Sequence, residues 1–267
     1  MTPLNLAPAG VFKSVRFVLT DMDETLTFDG RLAASTYAAL EKAQCAGLVV
    51  IPVTAAPAGW CDQMARMWPV DAVIGENGGL FIRRNDHGAH RTYWSAEPDA
   101  DRRHLTTAIE QVKQRFPQAA LADDQPFRLT TVAFQITGDR QHDEAIESCL
   151  RDNGLRTTQN NLWILGWPAG FDKLAMARRV LGAAYNLDID KDGDAVLYVG
   201  DSTNDAPMFD FFRHAVGVST VRKYLGVLPT PPAWITRGPG GAGFVEVIDH
   251  LLVGSPAKLA GSDNSGK

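Results

Sequence analysis

The amino-acid sequence predicts an α/β fold, a parallel-sheet core interrupted by a smaller α+β module. Three features predict it. The apolar runs at 15–19, 48–53 and 195–199 have the length and β-branched content of buried strands, and each ends abruptly in acidic or hydroxyl residues. Segments of helical periodicity lie between such runs, as right-handed βαβ units require. Near Glu97-Pro98-Asp99-Ala100 the texture changes, and helix, strand, helix and paired strands follow over about eighty residues before Pro168-Ala169-Gly170 leads back. The expected division is a core at 1–84 and 168–253, an inserted α+β module at 85–167, and a small, polar, disordered tail at 254–267.

The totals set the class. A chain of 267 residues, 45% hydrophobic and 21% charged, is an ordinary globular protein with enough length for one large core or two smaller ones. Its net charge of -5 offers no basic field for nucleic acid. Cys45, Cys61 and Cys149 are odd in number, far apart and without a CxxC, so they read as small core residues in a reducing compartment. No apolar run reaches the ~20 residues of a membrane helix, and the start MTPLNLAPAGVFK does not read as a secretory leader. The expectation is a cytoplasmic protein without membrane or nucleic-acid partners.

In chain order, the first buried strand runs into Asp21 and Asp23. In open α/β sheets, ligands bind at that carboxyl end. Two carboxylates there can divide the work, one as nucleophile or magnesium ligand and the other as proton donor. A solvated turn is the alternative for this stretch taken alone. A helix over 33–46, stopped by Gly47, leads to the strand 48–53, which ends in Thr54. Thr54 reads either as a helix cap or as a hydroxyl set against the same oxyanion that Asp21 would attack. A helix over 60–68 and a short strand over 72–74 run into Gly75-Glu76-Asn77-Gly78-Gly79, a tight turn from which Asn77 can aim its amide at the mouth. Residues 80–82 and 92–94 read as a hairpin.

The second module reads as an amphipathic helix over 105–116, a strand over 130–136, a helix over 144–150 and two strands around Asn160-Asn161. After the return, Asp172 caps a helix with Lys173 in its first turn. A lysine there adds to the positive end of the helix dipole, and both favour an anion at that spot; a plain surface lysine is the alternative. The strand 195–199 ends in Gly200-Asp201-Ser202-Thr203-Asn204-Asp205. Three carboxylates converging on one edge repel one another unless a hard cation is present, and oxygen ligands of this kind select magnesium. A strand at 215–218 follows. The glycines between 238 and 243 match neither phosphate-loop spacing and read as a flexible connection to a closing helix over 244–252.

Four segments together carry a resemblance. Asp21-Met22-Asp23-Glu24-Thr25, Thr54 at a strand end, Lys173 at a helix start and Gly200-Asp201-Ser202-Thr203-Asn204-Asp205 resemble, in order and character, the four motifs of the haloacid dehalogenase (HAD) superfamily. The resemblance covers about 15–82 and 168–250. The long interval between Thr54 and Lys173 is similar to the branch with an α+β cap between the second and third motifs, which includes sucrose-phosphate, mannosyl-phosphoglycerate and Cof-type phosphatases. It implies a Rossmann-like parallel-sheet core with an inserted α+β cap domain. The activity it implies is magnesium-dependent hydrolysis of a small phosphate ester of the sugar or polyol kind.

The resemblance also implies roles. Asp21 attacks phosphorus and forms an aspartyl-phosphate, while Asp23 protonates the leaving oxygen and then deprotonates water. Thr54 and Lys173 hold the phosphoryl oxygens. Asn77 and Asn204 touch substrate or the groups around it. Magnesium (Mg2+) is held by the Asp21 carboxylate, the Asp23 main-chain carbonyl and Asp201, with Asp205 in support. Three positions depart from the pattern: Glu24 and Leu174 stand where glycine is frequent in relatives, and Ala55-Ala56 stand where many have Gly-Arg. Phosphoryl transfer to a sugar hydroxyl, and a non-catalytic phosphoacceptor or binding domain, are the alternative readings. Phe127, Arg128, Trp163 and Trp167 are either core or contacts that stack on a sugar or grip a second anionic group.

Overall fold

The computed structural model describes residues 1–159 and 162–253. The expected tail at 254–267 and the turn at Asn160-Asn161 lie outside the described residues. The core begins with the strands β1 (Thr2–Pro3), β2 (Phe17–Thr20), β3 (Thr27–Phe28) and β4 (Arg31–Leu32), followed by α1 (Ala34–Cys45) and β5 (Val49–Pro52). Next come α2 (Ala58–Met67), β6 (Ala72–Gly75), β7 (Leu80–Asn85) and β8 (Gly88–Tyr93). The second module contains α3 (Pro98–Arg115), β9 (Val132–Gln135), α4 (Arg140–Asp152), β10 (Leu155–Gln159) and β11 (Trp163–Pro168). The chain then returns through α5 (Lys173–Tyr185), β12 (Val196–Gly200), α6 (Ala206–Phe211), β13 (His214–Gly217), β14 (Trp234–Ile235) and α7 (Gly240–Val253).

Six strands form one parallel sheet in the order β1-β14-β13-β12-β2-β5. Its central strands are apolar without interruption because both faces are covered. Val18, Val50, Leu197 and Val199 point to one face, where they pack with Leu40, Phe244 and Ile248 of α1 and α7. Leu19, Ile51, Val196 and Tyr198 point to the other, against Met176, Ala177, Val180 and Leu181 of α5. This alternation follows from the two-residue period of a strand. With β2, β5 and β12 parallel and in register at Thr20–Pro52 and Thr20–Val199, the residues after all three strands emerge on one edge.

β6 joins this edge through a parallel bridge between Val53 and Ile74, then pairs antiparallel with β7, which pairs with β8 as far as Leu80–Tyr93. Residues 84 and 85 lie in β7, within the β7–β8 hairpin. A second hairpin, β3–β4, turns at Asp29-Gly30, where both φ angles are positive. Asp-Gly is a strong hairpin signal that the sequence reading passed over.

The second module is a three-stranded antiparallel sheet, β10-β11-β9. One face packs Phe134, Ile164 and Leu155 against Leu105, Val112, Ile146 and Leu150 of α3 and α4. The opposite face carries Ala133, Leu165 and Trp167, which pack with Phe171 and with Ala55 from the core edge. That second face is what covers the edge where β2 and β5 end.

One expectation is corrected. The glycines after 238 are not a flexible connection: α7 already begins at Gly240, and Gly240, Gly241 and Gly243 are buried. They are small because the chain packs tightly there. A Cβ on Gly241 would lie 2.0 Å from Thr36 Oγ1 and 2.7 Å from the Leu26 carbonyl. Gly241→Ala is expected to destabilise the protein by about 1–3 kcal/mol in urea denaturation, since a backbone carbonyl cannot yield as a side chain can.

Candidate active site

The strand ends and the start of α5 bring Asp21, Asp201, Asp205 and Lys173 to one place. Asp21 follows β2, its N–H bonded to the Val199 carbonyl at 2.8 Å, and is 4% exposed. Asp201 follows β12 and is equally buried. Lys173 opens α5, whose N-cap Asp172 accepts from the Ala175 N–H at 2.8 Å. The lysine side chain reaches under the carboxylates, donating to Asp21 Oδ1 at 2.9 Å and to Asp205 Oδ1 at 2.7 Å. Asp21, Asp201 and Asp205 each offer an oxygen within 4.8 Å of the other two.

Asp205 is fully committed. Its Oδ1 accepts from Lys173 and from the Tyr198 hydroxyl at 2.5 Å, while Oδ2 accepts from the N–H groups of Asp201 and Ser202 at 2.9 and 3.1 Å. Gly200 makes this possible, since a Cβ there would meet Asp205 Oδ2 at 2.5 Å. By contrast Asp201 Oδ2 is buried with no hydrogen-bond partner. An orphaned carboxylate oxygen facing a second carboxylate fits a hard cation, with Asp21 and Asp201 presenting free oxygens and Asp205 orienting Lys173 and the loop behind them.

The electrostatics agree. Burial, with the charges of Asp205 and Asp21, pushes Asp201 up to about 9. Burial raises Asp21 to about 7 despite the lowering by Lys173, with Asp205 and Asp23 adding to the rise. Burial alone would lower the Lys173 amine, yet Asp205 and Asp21 outweigh it and hold it above its ordinary 10.5. There is more negative charge here than one lysine balances, and a dication would make up the difference.

Asp23, half-buried on the chamber wall, is pushed up to about 6 by burial, with Lys173 and Arg128 restraining the rise. Its side chain stands outside the group of three acids. Glu24 has φ 57°, in the left-handed region, which accounts for a preference for glycine at such a position. Thr54 is fully buried, and its hydroxyl accepts from the Ala56 N–H at 3.0 Å. Asn77, 3% exposed, shares a wall with Lys173 and Asn204 and has a buried amide nitrogen without a partner. Asn204 accepts from the Ser202 hydroxyl at 2.8 Å and borders both this cavity and the main chamber.

Two contributors, Tyr198 and Glu76, escaped the sequence reading, and Arg128, read as core or an anion contact, takes a different role. Tyr198 sat inside an apolar run; a phenol in a strand covered on both faces needs a partner, and that was the available signal. Glu76 was read only as part of a turn. It is fully buried at φ 50°, and its carboxylate accepts from the N–H groups of Ala58, Leu129 and Thr130 and the hydroxyls of Thr130 and Thr131, at 2.6–3.2 Å. It thereby ties the second module to the start of α2. Arg128 is buried against Asp124 at 2.8 Å and donates to the Ala55 carbonyl at 3.0 Å, so a guanidinium does reach the position after Thr54, from the other module.

The fold is that of solved structures from the HAD superfamily. Thermoplasma acidophilum protein 0175 superposes with a TM-score of 0.73 at 18% identity, over 90% of this chain and 99% of that one. The HAD-superfamily phosphatase BT1666 of Bacteroides thetaiotaomicron gives 0.64 at 19% identity, over 93% and 98% of the two chains. The HAD subclass IIB sugar phosphatase BT4131 gives 0.65 at 13% identity, over 90% and 100%. No protein-family model and no curated protein matches the sequence.

Three measurements test this arrangement. The folded state holds a proton on Asp201 that the unfolded chain, with an ordinary value of 3.8, releases, so stability falls as pH rises between about 4 and 9. Asp201→Asn is expected to flatten that fall in thermal scans without metal and to remove most of the rise in Tm produced by magnesium. Glu76→Gln, which turns an acceptor into a donor facing Thr130, is expected to cost about 2–4 kcal/mol in urea denaturation.

Proposed function

We propose that this protein is a divalent-metal-dependent phosphatase that hydrolyses a small phosphorylated metabolite of the sugar or polyol kind. The observation that carries the reading is Lys173 held between Asp21 and Asp205, with the unpartnered oxygen of Asp201 beside them. Phosphoryl transfer depends on positioning and charge neutralisation, and this arrangement supplies both.

Asp21 attacks the phosphorus through a carboxylate oxygen, the bond to the leaving oxygen breaks, and Asp23 gives that oxygen its proton. A water then attacks the aspartyl-phosphate, Asp23 takes the water's proton, and phosphate leaves with Asp21 restored. A carboxyl pushed up to about 6 is suited to both proton transfers near neutrality. Lys173 steadies the Asp21 carboxylate and the phosphoryl oxygens. The Thr54 hydroxyl, held from behind by the Ala56 N–H, donates to one of those oxygens, and the Asn77 amide to another. Magnesium, held by Asp21, Asp201 and the Asp23 main-chain carbonyl, would supply the positive charge that the phosphate and carboxylates require. The second module lies over the edge as a cap, excluding bulk water and admitting only small substrates.

Screening sugar and polyol phosphates with and without magnesium tests the proposal. Asp21→Asn is expected to lower kcat by roughly 10³-fold or more on any substrate found. Phosphorus NMR should show inorganic phosphate as the product; an isomeric sugar phosphate would indicate transfer, and near-normal turnover by the variant would remove the mechanism.

A further inference from the structure

The leaving group must extend from the phosphorus on the side of Asp23, the residue that protonates it, and the walls on that side carry information about its charge. The main chamber, about 350 Å³, is bordered by Asp23, Glu24 and Asp29 as well as by Asp21 and Asp201, with Lys223 as the one cation on its wall among the described residues. A second cavity of about 170 Å³ shares Asp23, Ala55 and Leu162 with it and is lined by residues of both modules. Its walls include Trp60, Trp163, Asp123, Asp124 and Arg128.

Among the described residues Arg128 is the cation on the wall of this second cavity, and it is already spent. Its Nε and Nη2 donate to both oxygens of Asp124 at 2.8 Å, and Nη1 donates to the Ala55 carbonyl at 3.0 Å and the Thr131 hydroxyl at 3.2 Å. The side chain is only 2% exposed, so a ligand anion would have to displace Asp124 from a buried fork. Asp123, exposed on the same wall, makes no ion pair among the described residues. Trp60, on the same wall, is 46% exposed, with its ring centroid 5.2 Å from that of Phe127.

We infer that the leaving-group end of this site rejects a second anionic group and takes a hydrogen-bond-donating group that is neutral or positively charged. The inference rests on the phosphatase reading for which end of the substrate lies here. Asp123 accepts hydroxyl or ammonium hydrogens, Trp60 packs on an aliphatic ring face or a cation, and a carboxylate or second phosphate meets the unpaired charge of Asp123. The alternative berth for a second anion is the cavity of about 150 Å³ bordered by Asn77, Arg156 and Lys173, on the phosphoryl side.

Three esters of similar size separate the possibilities: glycerol 1-phosphate, O-phosphoethanolamine and 3-phosphoglycerate. Their dissociation constants are measured by calorimetry with magnesium on Asp21→Asn, and their kcat/KM on the unaltered protein. The neutral and cationic esters are expected to bind at least about tenfold more tightly than the carboxylate. Asp123→Lys should shift the phosphoethanolamine-to-phosphoglycerate ratio by about fivefold or more toward phosphoglycerate. Equal or tighter binding of phosphoglycerate, or no binding of any ester, overturns the inference. A preference for phosphoglycerate that Arg156→Gln abolishes overturns it too and locates the leaving group in the other cavity. Selective binding without turnover of any ester would retain the inference while the hydrolytic reading fell.

Discussion

The structure depends on one buried ammonium group. Lys173 is 2% exposed and lies between two carboxylates that are themselves sequestered, one after β2 and one after β12. Withdrawing such charges from water costs several kcal/mol each, recovered only where geometry and further hydrogen bonds are good. Here Tyr198 and two backbone N–H groups complete the shell of Asp205. The sheet supports this arrangement because three parallel strands end at the same level.

Around that group, the two modules are fastened where chemistry is expected. Glu76 receives donors from the start of α2 and from 129–131, and Arg128 returns a donor to Ala55 beside Thr54. The second module thus touches the core through the loop that would hold a phosphoryl oxygen, and any swing of the module must pivot about these bonds or break them. Glu76 also sets its neighbour: Asn77, at φ 57°, is turned so that its amide nitrogen is buried near Lys173 instead of exposed on a loop.

Much of this was legible in the sequence, for a physical reason. A strand buried on both faces must be continuously apolar, so the point where polarity returns marks the sheet edge, and Asp21, Thr54 and Asp201 stand just past such points. Lys173 was legible because a lysine beside an N-cap aspartate is out of place for a helix dipole. What stayed hidden depended on partners distant in sequence. Glu76 looks like any turn acid until 129–131 folds onto it, and the Asp124–Arg128 pair shows its second function only against Ala55. The glycines near 240 misled because glycine signals both freedom and close approach, and only the neighbouring Thr36 and Leu26 decide between them.

The outermost strand of the large sheet has a consequence of its own. β1 is two residues long, pairs parallel with β14, and ends in Pro3, which has no N–H to offer. A short rim with a missing donor is a poor template for a strand from another molecule. At that margin the chain carries its own guard against edge-to-edge self-association, provided by a segment that touches none of the reacting groups.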